Sequence, residues 1–169
     1  DETLFTEGEA VSFTSKSDTD TLIEAIKAMV EDYNEIVTEV KNAYSTMPLQ
    51  QSNGSKYEPL TDEDRADMSE SEIAAYEEKA KTGLLFMDSD LSSLYSALRN
   101  AVTPGGSEGS LLRSIGINTS YEDGLTTISL DESALRSALE TNPDQVKDIF
   151  TKSQENGAAT DGLMTSIQK

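Results

Sequence analysis

Hydrophobic residues recur at helical spacing over a long stretch near the start of the chain. From Leu22 to Met47 they are separated alternately by four and three positions. A neighbouring apolar row repeats every seven residues, at Ile23, Val30, Val37 and Tyr44. This pattern predicts a helix from about Asp18 to Thr46, on the order of 40 Å long. Because the apolar stripe is about three positions wide in each heptad, we expect the helix to pack against at least two neighbours.

The row with alternating spacing is a heptad seam. We single out six of its members as packing or assembly residues: Leu22, Ile26, Met29, Tyr33, Ile36 and Val40. Such a seam has two interpretations. It is either the buried side of a core helix in a monomeric bundle, or a surface that the helix shares with other chains in an assembly. The spacing alone does not separate the two.

Shorter helices are predicted further along the chain. Thr61 and Ser69 each begin a stretch with the start signals of a helix. Residue 88 or 89 then caps a helix whose apolar residues run at helical spacing to Val102. Few apolar residues lie between Thr61 and Gly83, so we expect this part to be a thinly packed outer segment.

A β-hairpin and two sharply delimited helices are predicted next. Alternating residues flank the turn signal Asp123-Gly124, which favours a hairpin at about 116–130. Asp131 then caps one helix, and Asn142 caps another, with Pro143 at its first position. The chain as a whole is therefore predicted to be α+β and mainly helical, with one long heptad helix packed with shorter helices and a small β-hairpin.

Charge and hydropathy exclude two kinds of partner. The 169 residues include 32 acidic and 13 basic side chains, which gives a formal net charge of −19. That charge repels nucleic acid and anionic membranes. No stretch approaches the run of about 18 apolar residues that a membrane-spanning helix needs. We therefore expect no nucleic-acid partner and no membrane insertion.

Candidate chemistry is sparse. The chain has no Cys, His or Trp, so nucleophilic sites that depend on His or Cys and the usual zinc sites cannot form. Asp88 and Asp90 lie at a helix start, where carboxylates cap exposed N–H groups. Residue types leave a glycosidase with two carboxylates open, but the chain is poor in the aromatic side chains that line sugar clefts. We predict no catalytic residue, no cofactor, no metal and no enzymatic activity.

Four stretches, in this order and spacing, resemble the flagellar filament cap family, also called hook-associated protein 2. They are "DTDTLIEAIKAMVEDYNEIVTEV", "YEPLTDEDRADMSESEIAAYEEKAKTGLLFMDSDLSSLYSALR", "LLRSIGINTSYEDGLTTISLDESALRSALETNPDQVKDIF" and "GLMTSIQK". The resemblance implies that residues 1–16 are the end strand or strands of a preceding head domain. It implies that residues 17–169 form a helical leg domain with the hairpin at about 116–130. We accordingly expect a piece of a longer protein, truncated at both ends, with its C-terminal helix cut short.

The resemblance also implies a function. Members of the family are secreted and form a cap at the distal tip of the bacterial flagellar filament, where they promote the polymerisation of flagellin. The expected partners are thus flagellin and other copies of the protein in the full-length cap. The alternative is a surface adhesin or glycan-binding module, for which Tyr57, Tyr76 and Tyr121 are the candidate contacts. A third interpretation, a helical bundle of unrelated function, would make the resemblance accidental.

Overall fold

The computed structural model describes residues 16–104, 107–158 and 160–168. The end strand expected in residues 1–16 lies outside the described residues, apart from Lys16, at which the first helix begins. The elements in chain order are α1 (Lys16–Ser45), α2 (Asp62–Ala66), α3 (Glu70–Lys81), α4 (Ser89–Val102), α5 (Ser107–Ser114), β1 (Ile117–Glu122), β2 (Leu125–Leu130), α6 (Glu132–Thr141), α7 (Pro143–Thr151), a short 3-10 turn (Gln154–Asn156) and α8 (Leu163–Gln168). The predicted fold class is confirmed, since helices dominate and the two strands form an antiparallel hairpin.

The long helix α1 is the spine of the fold. Its buried side chains are spaced alternately by three and four residues: Ile23, Ile26, Val30, Tyr33 and Val37. Three elements, α4, β2 and α6, pack against α1. This agrees with the prediction that an apolar stripe three positions wide packs against at least two neighbours. Two ion pairs hold α6 along α1, Arg136 to Asp20 at 2.6 Å and Lys27 to Glu132 at 3.0 Å.

The remaining helices close the core on the other sides. Buried residues of α4, α5, α6, α7 and α8 join those of α1 in one hydrophobic cluster. Among them, Leu135 of α6 is 0% exposed and Val102 of α4 is 2% exposed. Because α8 contacts both α4 and α7, the last described helix belongs to this core.

The hairpin turns where the sequence predicts it. Asp123 and Gly124 have φ angles of 49° and 79°, both in the left-handed region that a two-residue hairpin turn requires. The six residues of β1 pair with the six of β2 in continuous register, from Ile117 with Leu130 to Glu122 with Leu125. β2 is the strand that packs on α1, whereas in β1 only Ile117 is buried and every later residue is exposed.

An outer segment formed by α2 and α3 stands apart from this core. Thr61 and Ser69 each form a complete capping box with the acidic residue three positions later. Neither of these two described helices has a buried residue. Caps and local contacts therefore define the segment, whereas core packing defines the rest of the fold.

Candidate assembly surface

The six seam residues divide between the core and the surface. Leu22 is 43% exposed and Ile36 is 50% exposed. The other four lie in the core or against it: Ile26, Met29, Tyr33 and Val40. The seam is thus a packing surface on one side and an apolar surface open to solvent on the other.

Leu22, Met29 and Ile36 form what we call the ridge. They are seven residues apart, so they lie on one line along α1, beside the fully buried positions Ile23 and Val37. At about 1.5 Å per residue, the ridge extends roughly 20 Å. The ridge thus has the half-exposed Leu22 and Ile36 at its two ends and the partly buried Met29 between them.

A second apolar area lies where α1 ends. Its five side chains, Met47, Leu49, Leu84, Leu85 and Met87, are between 45% and 77% exposed. The backbone amide of Met87 donates to the Tyr44 carbonyl at 2.8 Å, which fixes this loop against the end of α1. A Cβ on Gly83 would collide with the backbone of Pro48, so the two apolar segments lie side by side. We call these five residues the end patch.

Side chains from α1 and α4 close the outer edge of β2. The Asn34 amide donates to the Ile128 carbonyl at 2.8 Å and accepts from the Ile128 N–H at 2.9 Å. The Tyr95 hydroxyl donates to the Gly124 carbonyl at 2.6 Å and accepts from the Thr126 N–H at 3.1 Å. Sequence reasoning missed both contacts, because the residues involved are far apart in the chain.

Tyr33, one of the buried seam residues, connects α1 to α4. Its hydroxyl donates to the Leu98 carbonyl at 3.1 Å in the buried interior. Burial raises the pKa of Tyr33 well above its ordinary value, and the neighbouring Tyr95 adds to the effect. Tyr33 therefore acts as a neutral hydrogen-bond donor in the core.

Asp131 and Asn142 lie at the starts of the two helices after the hairpin. The Asp131 carboxylate accepts from the backbone amides of Ser133 and Ala134. The Ser133 hydroxyl also donates to it at 2.6 Å, and these bonds hold the pKa of Asp131 below its ordinary value. The Asn142 side chain accepts from the Gln145 amide at 3.2 Å. Both side chains satisfy backbone donors, which gives the hairpin a rigid exit into α6 and α7.

The tyrosines considered for glycan binding do not form a shared surface. Tyr57 and Tyr76 contact each other edge to face, with ring centroids 5.0 Å apart, and Lys79 lies over the Tyr57 ring. Tyr121 is 67% exposed and lies on β1. Tyr57 and Tyr76 line one open groove of about 520 Å³, whereas Tyr121 lines a separate groove, so the three rings do not share one site.

Two kinds of functional feature are absent from the described part of the chain. No group of three or more Asp or Glu side chains there is arranged to hold a metal ion. Within the same residues, no helix has both the length and the apolar character needed to cross a bilayer. The candidate functional features described above are the ridge and the end patch.

Comparison with known proteins gives one consistent result. Residues 3–169 match the family described as "Flagellar hook-associated protein 2 C-terminus". A flagellar hook-associated protein 2 of Halalkalibacterium halodurans is 37% identical over 155 residues, which are 89% of this chain and 27% of that protein. One of Thermotoga maritima is 30% identical over 160 residues, 90% of this chain and 23% of that protein. The chain thus spans about a quarter of these relatives, and no solved structure matches it.

Proposed function

Because this chain belongs to the family of the flagellar hook-associated protein 2 C-terminus, we propose that it is part of a filament cap. In this proposal it is a secreted, structural and non-enzymatic assembly protein at the distal tip of the bacterial flagellar filament. Its partners are flagellin, whose polymerisation the cap promotes, and other copies of the same protein. The observation that carries the proposal is the family match over residues 3–169.

The distribution of apolar residues supports an assembly role. The ridge leaves Leu22 and Ile36 about half exposed, although Ile23 and Val37 beside them are buried. We assign the ridge to contacts with other protein segments in the cap, and Ile26, Tyr33 and Val40 to packing within this domain.

The proposal is tested by complementation in a motile bacterium that lacks its cap gene. The full-length protein is supplied with Leu22→Asp and Ile36→Asp together, which adds two charges to the ridge. We expect these cells to release monomeric flagellin into the medium and to lose motility. Flagellin in the culture supernatant, separated by size, and filament length in electron micrographs are the measurements.

Ala28 provides a matched control. It is exposed on α1 but lies off the ridge, so Ala28→Asp adds the same kind of charge to the same helix without touching the ridge. Cells carrying it should grow normal filaments. A gentler pair, Leu22→Ser with Ile36→Ser, covers the case in which the charged pair does not fold. Normal filaments with a folded ridge variant would show that the ridge is not an assembly surface.

A further inference from the structure

The two outer edges of the hairpin are treated differently. The outer edge of β2 is closed by Asn34 and Tyr95, which bond its outward-facing backbone groups at Ile128 and Thr126. The outer edge of β1 is bare, because Asn118 to Glu122 are all exposed. The fold therefore uses two side chains to protect one strand and leaves the other open.

Strand register identifies the unpaired groups. Thr119 lies opposite Ile128, and Tyr121 lies opposite Thr126. Since the backbone groups of Ile128 point away from β1 toward Asn34, the Thr119–Ile128 pair exchanges no hydrogen bonds. The N–H and C=O groups of Thr119 and Tyr121 must point outward in the same way. Within the described residues, no backbone bond across that edge reaches them.

The composition of β1 does not protect this edge. Its six residues include no Pro and no Lys, its one charged residue, Glu122, lies at the turn end of the strand, and the continuous register leaves no bulge. Natural sheets normally block an exposed edge with one of these features or with a covering element. An extended chain can therefore approach β1 and pair with it.

A groove beside the edge adds chemical selectivity. Arg99 of α4 and Thr103, just after that helix, face Thr119, Ser120 and Tyr121 of β1 across a space of about 350 Å³. Among the described residues, Arg99 forms no ion pair. In a chain with 32 acidic side chains and 13 basic ones, a guanidinium left without a carboxylate is available to one from outside.

We infer that the edge of β1 binds an extended segment of a partner protein by strand addition, with an acidic side chain of that segment over Arg99. Main-chain hydrogen bonds to Thr119 and Tyr121 supply the affinity, and the groove supplies the preference for an acid. A second copy of this chain is the weaker occupant. Two copies repel each other with a charge of −19 each, and pairing β1 with itself about Thr119 places Tyr121, not an acid, opposite Ile117.

The test uses amide hydrogen exchange of the whole chain, measured by NMR. The probe is the peptide acetyl-Thr-Val-Thr-Glu-Thr-Val-Thr-amide, compared with the same peptide carrying Lys in place of Glu. In the free protein, Thr119 and Tyr121 amides should exchange fast, whereas Ser120, which faces β2, should be protected. Millimolar Glu peptide should slow exchange at Thr119 and Tyr121 and should bind about two- to fivefold more tightly than the Lys peptide, as an exposed ion pair allows.

Two variants separate the backbone contribution from the charge. Thr119→Pro removes an outward N–H that the hairpin ladder does not use, so it should abolish binding, whereas Thr119→Val should keep it. Arg99→Gln should not weaken binding of the Lys peptide and should remove the advantage of the Glu peptide. If Thr119→Pro disturbs the hairpin, a Glu peptide N-methylated at alternate residues tests the same bonds from the other side.

Three results would overturn the inference. The first is no protection of Thr119 and Tyr121 at millimolar Glu peptide. The second is equal binding of the N-methylated and unmodified peptides. The third is protection of both amides in the free chain that grows with protein concentration, since this would assign the edge to a second copy. Protection that depends on the peptide backbone and on Arg99 would establish it.

Discussion

Replacing Asn34 with alanine removes both hydrogen bonds by which α1 closes the outer edge of β2. The Ile128 N–H and C=O then lose their partners at 2.9 Å and 2.8 Å. A hydrogen bond of this kind contributes about 0.5–1.5 kcal/mol net, so the pair is worth about 1–3 kcal/mol. Alanine also improves the helix propensity of the position by roughly 0.5 kcal/mol, which hides part of the loss.

Asn42 supplies the control for that propensity term. It lies on the same helix, it is exposed, and among the described residues its side chain makes no hydrogen bond, although its backbone carbonyl accepts from Thr46. Asn42→Ala therefore gains propensity without breaking a contact to β2. We expect Asn34→Ala to be less stable than Asn42→Ala by the full 1–3 kcal/mol or so, which lowers the melting temperature by about 2–12 °C for a chain of this size.

Thermal melts followed by circular dichroism measure the difference, and hydrogen exchange locates it. In Asn34→Ala the Ile128 amide should exchange faster, whereas amides in the α7 core should follow the change in global stability alone. Equal melting temperatures for the two variants, with an unchanged Ile128 amide, would refute the role assigned to Asn34.

Three further predictions concern backbone conformation and pH. Gly116→Ala should destabilise the folded chain clearly more than Gly157→Ala. Both glycines have positive φ, but a Cβ at position 116 would meet the Asp131 carbonyl, whereas one at position 157 would meet open space. Tyr33→Phe should cost about 1 kcal/mol near neutral pH. The variant should also lose less stability than the parent chain at alkaline pH. Burial raises the folded-state pKa of Tyr33, so the stability that its neutral hydroxyl contributes is full below the ordinary value near 10 and is lost as the pH rises above it. Asp131→Asn should lose less stability in acid, because the lowered pKa of Asp131 stabilises the fold above its ordinary value near 3.8 and the effect is lost as pH falls below it.

Each of these has its own measurement and its own contrary result. Urea unfolding compares the two glycine variants, and similar midpoints would mean that the close approach at Gly116 is relieved by movement of the backbone. Melting temperatures collected up to alkaline pH test Tyr33, and parallel curves for parent and Tyr33→Phe would contradict its role. Melting temperatures below about pH 4 test Asp131, and an equal acid loss in Asp131→Asn would contradict the cap.

The local features of the fold were predictable because they depend on neighbouring residues. Helix starts at Thr61 and Ser69 follow from short side chains that accept from the backbone amide three positions later. The hairpin turn follows from Asp123-Gly124, since few other pairs accept positive φ twice. Each of these features depends only on residues within three positions of one another in the sequence.

The features that position the candidate surfaces are not local. The spacing of apolar residues in the sequence shows a stripe three positions wide on α1, but spacing alone does not show which rows of that stripe face the core. The structure buries Ile23 and Val37 and leaves Leu22 and Ile36 half exposed, because α4, β2 and α6 cover one side of the stripe. Nothing in the neighbourhood of Asn34 indicates that its amide meets a strand 94 positions further along the chain.

The outer segment of α2 and α3 has a consequence for how the domain tolerates change. It is held by local contacts such as the Arg65–Glu77 ion pair at 2.6 Å and the Tyr57–Tyr76 ring contact, and its two helices contribute no buried residue to the described core. Such a segment can open or be cut while the core stays folded. Insertions between Gln51 and Gly83 are therefore the changes that this domain absorbs most readily, which makes the segment the natural place for a reporter tag or for divergence among relatives.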